Sequence, residues 1–329
     1  MESVDLISQR GRGAARQTQI WPAPAKLNLF LHVVGRRRDG YHSLQTVFQF
    51  LDHGDELSFT VTSNSDIVRT TSLPEIAPET DLCLKAARLL QSTVGIGQGA
   101  KIHVIKRIPV GAGLGGGSSD AATTLIALNR LWSARLTIDR LAELGLQLGA
   151  DVPVFVRGRA AWAEGVGETL SPLDLEEPWY VVVVPPVKVS TADVFKEFSE
   201  FAAHADSVVQ SMDDGQRSSY GSVKSPKNSA RASDPQLTPY SPAITIRAFR
   251  EGCATRNDLE AVVRRRYPEV DRLMRWLSGY GAARMTGSGG GAFLNVDDAA
   301  RGREILAQAP SGYHGFVARG QNTHPLRAD

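Results

Sequence analysis

Between residues 109 and 120 the chain reads Pro109-Val110-Gly111-Ala112-Gly113-Leu114-Gly115-Gly116-Gly117-Ser118-Ser119-Asp120. Before it, Lys101 to Ile108 alternates apolar and polar residues as a strand does. After it, Ser118 to Trp132 places Ala121, Leu125, Leu128 and Trp132 at helical spacing. A plain strand-to-helix turn needs one or two glycines, and this one has five in seven positions. Glycine adopts positive φ without strain and lets backbone approach closely, so successive N–H groups can converge on an anion. The following helix adds its free N–H groups and the positive end of its dipole. The stretch therefore reads as a phosphate cradle.

Two familiar phosphate motifs overlap it, and each fails on a particular residue. Gly111, Gly113 and Gly116 fit G-x-G-x-x-G, but a dinucleotide fold needs an acidic residue about 20 positions on, at the end of a second strand. That position falls near Leu136, between two helical patterns. Gly111-x4-Gly116 fits the opening of a Walker A loop, but Gly117 stands where its lysine belongs. A nicotinamide-dependent oxidoreductase stays the alternative from another class, and the loop's missing cation must come from elsewhere in the chain.

Outward from the loop, the pattern is mixed. From Ala25, residues Lys26, Asn28, Phe30 and His32 share one face of a predicted half-buried strand, with Leu27, Leu29, Leu31 and Val33 on the other. Strands are predicted at Tyr41–Phe50, Glu56–Val61, Val152–Val156, Trp179–Val184, Ala292–Val296 and Gly315–Arg319. Helices are predicted at Leu82–Leu90, Ile138–Leu148 after a Thr137 N-cap, Asn257–Arg265, Val270–Leu277 and Asp298–Gln308. The order gives an α+β fold with intermixed sheets, not a regular βαβ series. Residues 1–19 read as a flexible tail. The stretch 203–242, crowded with Ser, Pro, Asp and Lys, reads as a disordered insertion with too little apolar surface to order itself.

Composition excludes several classes. The 329 residues are 42% apolar and 22% charged, which rules out a wholly disordered chain, and their length fits two domains. A formal charge of +2 gives no electrostatic case for nucleic acid or membrane partners. Apolar runs such as Val181–Val184 are far shorter than the roughly 20 residues that cross a bilayer. Two cysteines, Cys83 and Cys253, make no disulfide framework, so a reducing cytoplasmic setting is expected. Glycine is the one excess, at 31 residues, and nine of these lie in Gly111–Gly117 and Gly287–Gly291.

A third reading of the loop, Pro-x3-Gly-Leu-Gly-Gly-Gly-Ser-Ser-x-Ala-Ala, fits every position from Pro109 to Ala122. In this form the chain resembles the GHMP kinases. Pro22-Ala23-Pro24-Ala25-Lys26-Leu27-Asn28-Leu29 is similar to the family's N-terminal motif, and Thr286-Gly287-Ser288-Gly289-Gly290-Gly291-Ala292 to its C-terminal glycine motif. Further stretches resemble one branch of the family, whose acceptor is a methylerythritol carried on a cytidine diphosphate, an intermediate of isoprenoid precursor synthesis by the non-mevalonate route. They are Gly35-x4-Gly40-Tyr41-His42, Gln45-Thr46-Val47-Phe48, Gly149-Ala150-Asp151-Val152-Pro153 and Ala163-Glu164-Gly165-Val166-Gly167-Glu168.

The resemblance implies two domains, 20–175 and 176–329, with the active site in the cleft between them, and phosphorylation of the acceptor's 2-hydroxyl by ATP with Mg²⁺. Pro109, Val110, Gly111, Ala112, Gly113, Leu114, Gly115, Gly116, Gly117, Ser118 and Ser119 would bind ATP. Asp151 alone reads as a helix-end residue, and Lys26 alone as an edge-strand lysine. By resemblance Asp151 is the catalytic base, and Lys26 pairs with it and stabilises the charge on the transferring phosphoryl group. Tyr41 would stack on the cytosine ring and His42 would hydrogen-bond its edge. Asn28, Phe48, Thr191 and Phe195 would line the acceptor's side of the cleft. Ser118 or Ser119 either holds Mg²⁺ or caps the helix. Homoserine or mevalonate kinase activity is the alternative within the family, and a monomer or weak homodimer is expected. The run Arg264-Arg265-Arg266 reads as a solvated helix face.

Overall fold

The computed structural model describes residues 19–201 and 256–327. The insertion expected at 203–242, and all of the expected tail except residue 19, lie outside these. Ten strands are described: β1 (Trp21–Arg36), β2 (His42–Thr62), β3 (Ile67–Arg69), β4 (Gly99–Ile105), β5 (Ala161–Gly165), β6 (Thr169–Pro172), β7 (Trp179–Val184), β8 (Arg284–Met285), β9 (Ala292–Val296) and β10 (His314–Gln321). Hydrogen bonds link them in the order β3-β4-β2-β10-β7-β9-β8, with β1 and β5 also paired to β2 and β6 to β5. The pair β3–β4 is parallel and the others antiparallel, so the sheet is mixed, as the α+β reading expects.

The spine is β2, a continuous strand of 21 residues. The two strands expected here, broken at Gly54-Asp55, are one. Gly54 pairs with Pro24, and a Cβ on it would lie 2.3 Å from the Ala23 carbonyl oxygen. The glycine is there for close approach of two backbones, not to end a strand. The buried Asp55 carboxylate accepts from the N–H groups of Arg107 (2.6 Å) and Ile108 (2.9 Å). Those residues therefore leave the ladder, and β4 ends at Ile105 rather than at the expected Ile108.

A second expectation is corrected at β1. It is not half-buried: every residue from Ala23 to Val33 is buried, on both faces. The strand threads three cores. Trp21 and Ala23 belong to the one beneath β2, β4 and helices α1 (Leu82–Val94), α2 (Gly116–Leu131), α3 (Ile138–Leu148) and α4 (Val152–Arg157). Ala25, Leu27, Leu29 and Phe30 lie in a middle core with Ala112, Leu114, Tyr180 and Phe293. Leu31 and Val33 join the core of β7–β9 with the later helices, α5 (191–201), α6 (Glu260–Arg266) and α7 (Pro268–Ser278); α8 (Ala299–Leu306) adds Ile305. The alternating pattern marked two unlike buried surroundings, not water on one side.

A third correction concerns Val152–Val156, which is the helix α4 and not a strand. A five-residue apolar run has no period to decide between the two. Its punctuation does decide: Pro153 sits in the first turn, and Gly158 closes the end at φ 66°. Nor is Arg264–Arg266 simply solvated. Arg264 bonds Glu260 and Asp271, while Arg265 and Arg266 reach Glu197 and Asp193 on α5 and clamp the two helices together.

Candidate active site

Gly111, Gly113 and Gly115 hold φ of 77°, 79° and 73°, a region where a side chain costs roughly 1–2 kcal/mol. Gly115 is the N-cap of α2, and the first intrahelical bond runs from Ser119 N to Gly115 O at 2.8 Å. The N–H groups of Gly116, Gly117 and Ser118 are thus left over for a ligand, as helix starts require. Neither serine caps the helix: both lie in its first turn. Ser118 lines the cleft, whereas Ser119 is fully buried and its Oγ has no partner among the described residues. Ala112 and Leu114 point the other way and anchor the loop in the middle core.

The two glycine runs meet directly. Gly291 N donates to Ala112 O at 3.0 Å. A Cβ on Gly113 would lie 2.4 Å from Thr286 O, and one on Gly289 would lie 2.3 Å from Gly113 N. Many of these glycines are therefore needed to let one loop seat on the other, beyond any role toward phosphate. Asn257 holds the second loop through Nδ2, which donates to Met285 O (3.1 Å) and Gly287 O (2.7 Å). Nothing in the sequence singles out Asn257, since it reads there as the start of a helix that begins only at Glu260.

Lys26 and Asn28 stand where β1 passes these loops. Lys26 N donates to Leu114 O at 2.9 Å, which ties strand to loop. Its buried ammonium donates to Asn28 Oδ1 (2.5 Å) and Gly113 O (3.1 Å) and pairs with Asp151 Oδ2 at 3.1 Å. It also lies 5.2 Å from the centre of the Phe48 ring. Asn28 is fixed by Thr46, which accepts from its Nδ2 at 3.0 Å, and by Thr286, which accepts from its backbone N–H at 2.9 Å. Asp151 opens α4 without capping it, and its carboxylate is one-third exposed to the cleft. A buried cation thus faces a partly open carboxylate beside a loop of free N–H groups.

The cleft, about 300 Å³, is lined from one side by Lys26, Asn28, Phe48, Ser118 and Asp151 and from the other by Thr191, Phe195 and Ser288. Thr191 Oγ1 and Ser288 Oγ are 2.8 Å apart. The expected acceptor residues divide here. Asn28, Phe48, Thr191 and Phe195 line the cavity. His42 stands behind Phe195, its ring stacked at 5.1 Å and its Nε2 bonded to Ser199 Oγ at 2.8 Å. Burial, helped by the charge of Arg36, lowers the His42 pKa. Tyr41 is outside the lining, exposed on the turn just before β2.

Beneath the loop lies a group that no motif announces. Lys106 Nζ bonds Asp120 Oδ2 at 2.7 Å and the buried carboxylate of Asp55. Burial pushes the Asp120 carboxyl up to about 7; Lys106 opposes the rise and Asp55 adds to it. For Lys106, burial lowers the pKa, but the two carboxylates outweigh it and raise the ammonium above its ordinary value. Asp120 thus ties the start of α2 to Lys106 from below.

Comparison with known proteins decides the family. The models for the GHMP kinases N terminal domain and the GHMP kinases C terminal match residues 81–159 and 242–315. A Pseudomonas paraeruginosa protein named 4-diphosphocytidyl-2-C-methyl-D-erythritol kinase is 48% identical over 305 residues, 93% of this chain and 95% of its own. The chain belongs to the GHMP kinase family. A Chromohalobacter salexigens protein of the same name is 46% identical over 93% of this chain and 92% of its own. Among solved GHMP kinase structures, that of a 4-(cytidine 5'-diphospho)-2C-methyl-D-erythritol kinase superposes with TM-score 0.67 at 31% identity, covering 92% of this chain and 99% of that one. Methanococcus jannaschii mevalonate kinase, TM-score 0.61 at 17% identity over 95% of this chain and 100% of its own, shares the fold. The oxidoreductase alternative lapses, since α2 runs on to α3 with no strand between them.

Proposed function

We infer that this chain is a kinase that transfers the γ-phosphoryl group of ATP to the 2-hydroxyl of 4-diphosphocytidyl-2-C-methyl-D-erythritol. The observation that carries the reading is the Lys26–Asp151 pair set beside the free N–H groups of Gly116, Gly117 and Ser118, in a chain 48% identical to kinases of that name. ADP release is the test. Turnover with the cytidylyl acceptor, and none with homoserine or mevalonate, is expected; turnover with either of the latter alone overturns the substrate.

The roles follow from the geometry. ATP phosphates lie on Gly111–Ser119, where backbone N–H groups and the helix end meet their charge. Residues 20–175 and 176–329 serve as the two units that flank the cleft. Asp151 accepts the proton of the acceptor hydroxyl as that oxygen attacks the γ-phosphorus, and the bond to the β-phosphate oxygen breaks to release ADP. The Lys26 ammonium, fixed by Asn28 and Gly113, holds the carboxylate in place and counters charge on the transferring group. Among the described residues, no three Asp, Glu, His or Cys side chains converge as a metal cage. This suits Mg²⁺, which binds chiefly through water and substrate phosphates. The Ser118 hydroxyl in the cleft is placed to join that shell, and buried Ser119 is not. Bound there, the ion would neutralise phosphate charge.

The cytosine is held at the rim, by Phe195 backed by His42 and by Tyr41 from the turn. Tyr41 is 66% exposed and packs in no core, so Tyr41→Ala leaves the fold intact. With a stacked base worth roughly 1–3 kcal/mol, the variant raises KM for the cytidylyl acceptor about tenfold or more and leaves KM for ATP unchanged. An unchanged acceptor KM in steady-state assays removes Tyr41 from the base site.

A further inference from the structure

We propose that Lys188 is the cation that meets the nucleotide's phosphates at the outer turn of the glycine loop, supplied from the opposite side of the cleft. The inference rests on the reading that ATP lies on Gly111–Ser119, and it starts from a charge that is missing there. The loop carries no basic residue. Each of the two buried ammoniums beside it is already matched: Lys26 by Asp151, and Lys106 by Asp55 and Asp120. A triphosphate arriving on the loop would find dipoles and N–H groups, while both of these ammoniums are held by carboxylates.

Lys188 fits that need by position. Its Cγ lies 3.5 Å from where a Cβ of Gly111 would stand, so its stem runs over the glycine that opens the loop. Among the described residues its ammonium has no carboxylate partner, and its side chain is exposed. Its backbone is held firmly. Pro185 and Val189 pack on Gly290 of the second glycine loop, at 3.4 and 3.2 Å from that residue's Cβ position. Val189 is buried, and Val187 N donates to Pro185 O at 2.8 Å. With Val187 and Val189 turned inward, extended alternation turns Lys188 outward onto the loop. The segment is a wedge between the two glycine loops with one lysine on its open edge. An ammonium on a long stem is suited to a mobile polyphosphate, which it meets as a point charge.

The test uses the full chain with Mg²⁺ and titrates ATP and adenosine by calorimetry, alongside steady-state kinetics. Lys188→Ala should weaken ATP about tenfold, with adenosine binding and acceptor KM unchanged, and Lys188→Arg should restore most of the loss. The exposed side chain makes a folding defect unlooked-for, and an unaltered thermal midpoint checks this. Equal ATP affinity in wild type and Lys188→Ala overturns the proposal, as does a rise in acceptor KM alone, which would move the lysine to the acceptor's diphosphate. A wild-type chain that binds no ATP overturns the reading of the loop itself, and this proposal with it.

Discussion

Asp151→Asn lowers kcat by about 10³-fold and leaves ATP affinity within about twofold of wild type. The asparagine keeps the size of the side chain and an oxygen for Lys26, but it cannot take a proton from the acceptor hydroxyl. Its side chain makes no capping bond to α4 and, among the described residues, pairs with Lys26 at 3.1 Å, so little of the fold depends on its charge. ADP release under saturating substrates and ATP titration on the same preparation separate the two effects. A kcat within tenfold of wild type would show that the proton leaves by another route, with Asp151 a positioning group for Lys26. Loss of ATP affinity together with kcat would mean that the substitution had disturbed the Lys26–Gly113 contact and, through it, the loop.

The second large effect is expected from a single methyl group. Gly113→Ala would place a carbon 2.4 Å from Thr286 O, at a backbone φ of 79°. The conformation costs roughly 1–2 kcal/mol and the overlap roughly 1–3 more, so the variant should lose about 2–5 kcal/mol of stability. The two glycine loops would separate, and Gly113 O would leave the Lys26 ammonium, which it now accepts from at 3.1 Å. Activity should therefore fall below detection even where the chain remains folded. Urea unfolding of Gly113→Ala against Gly95→Ala gives the control. Gly95 has a similar φ of 66° but open space around it, so it carries the conformational cost without the collision. Equal losses in the two variants would show that the loops do not need the close seating.

Much of the site was legible because its chemistry demands residue types that have no better use. Five glycines in seven positions point to an anion before any fold is known, whereas Lys26 and Asp151 alone read as ordinary surface residues and gained their expected roles only from the family resemblance. The α+β class followed from the mixed order of periodic segments. What stayed hidden is what depends on the other side of a contact. Asn257 supports the second loop through backbone carbonyls, which leave no pattern. Lys106, Asp55 and Asp120 come from three separate segments, and each alone looks like an ordinary surface charge. The helix Val152–Arg157 reads as a strand until Pro153 and Gly158 are taken as its two ends. Gly54 reads as a break because the sequence does not show Ala23 lying against it.

The burial of β1 on both faces has a consequence for how this enzyme can fail. A strand shared among three cores has no local opening of its own, and its amides exchange with solvent only when the whole molecule unfolds. Lys26 sits in the middle of that strand, so the cation proposed to act in catalysis is as durable as the protein itself. Partial melting of outer helices would spare it. Inactivation by heat or denaturant that begins at Lys26 should then coincide with global unfolding, and any earlier loss of activity must originate in the loops or the rim. The chain has placed the charge proposed for catalysis in its most protected segment, and Tyr41, proposed to recognise the base, on an exposed turn.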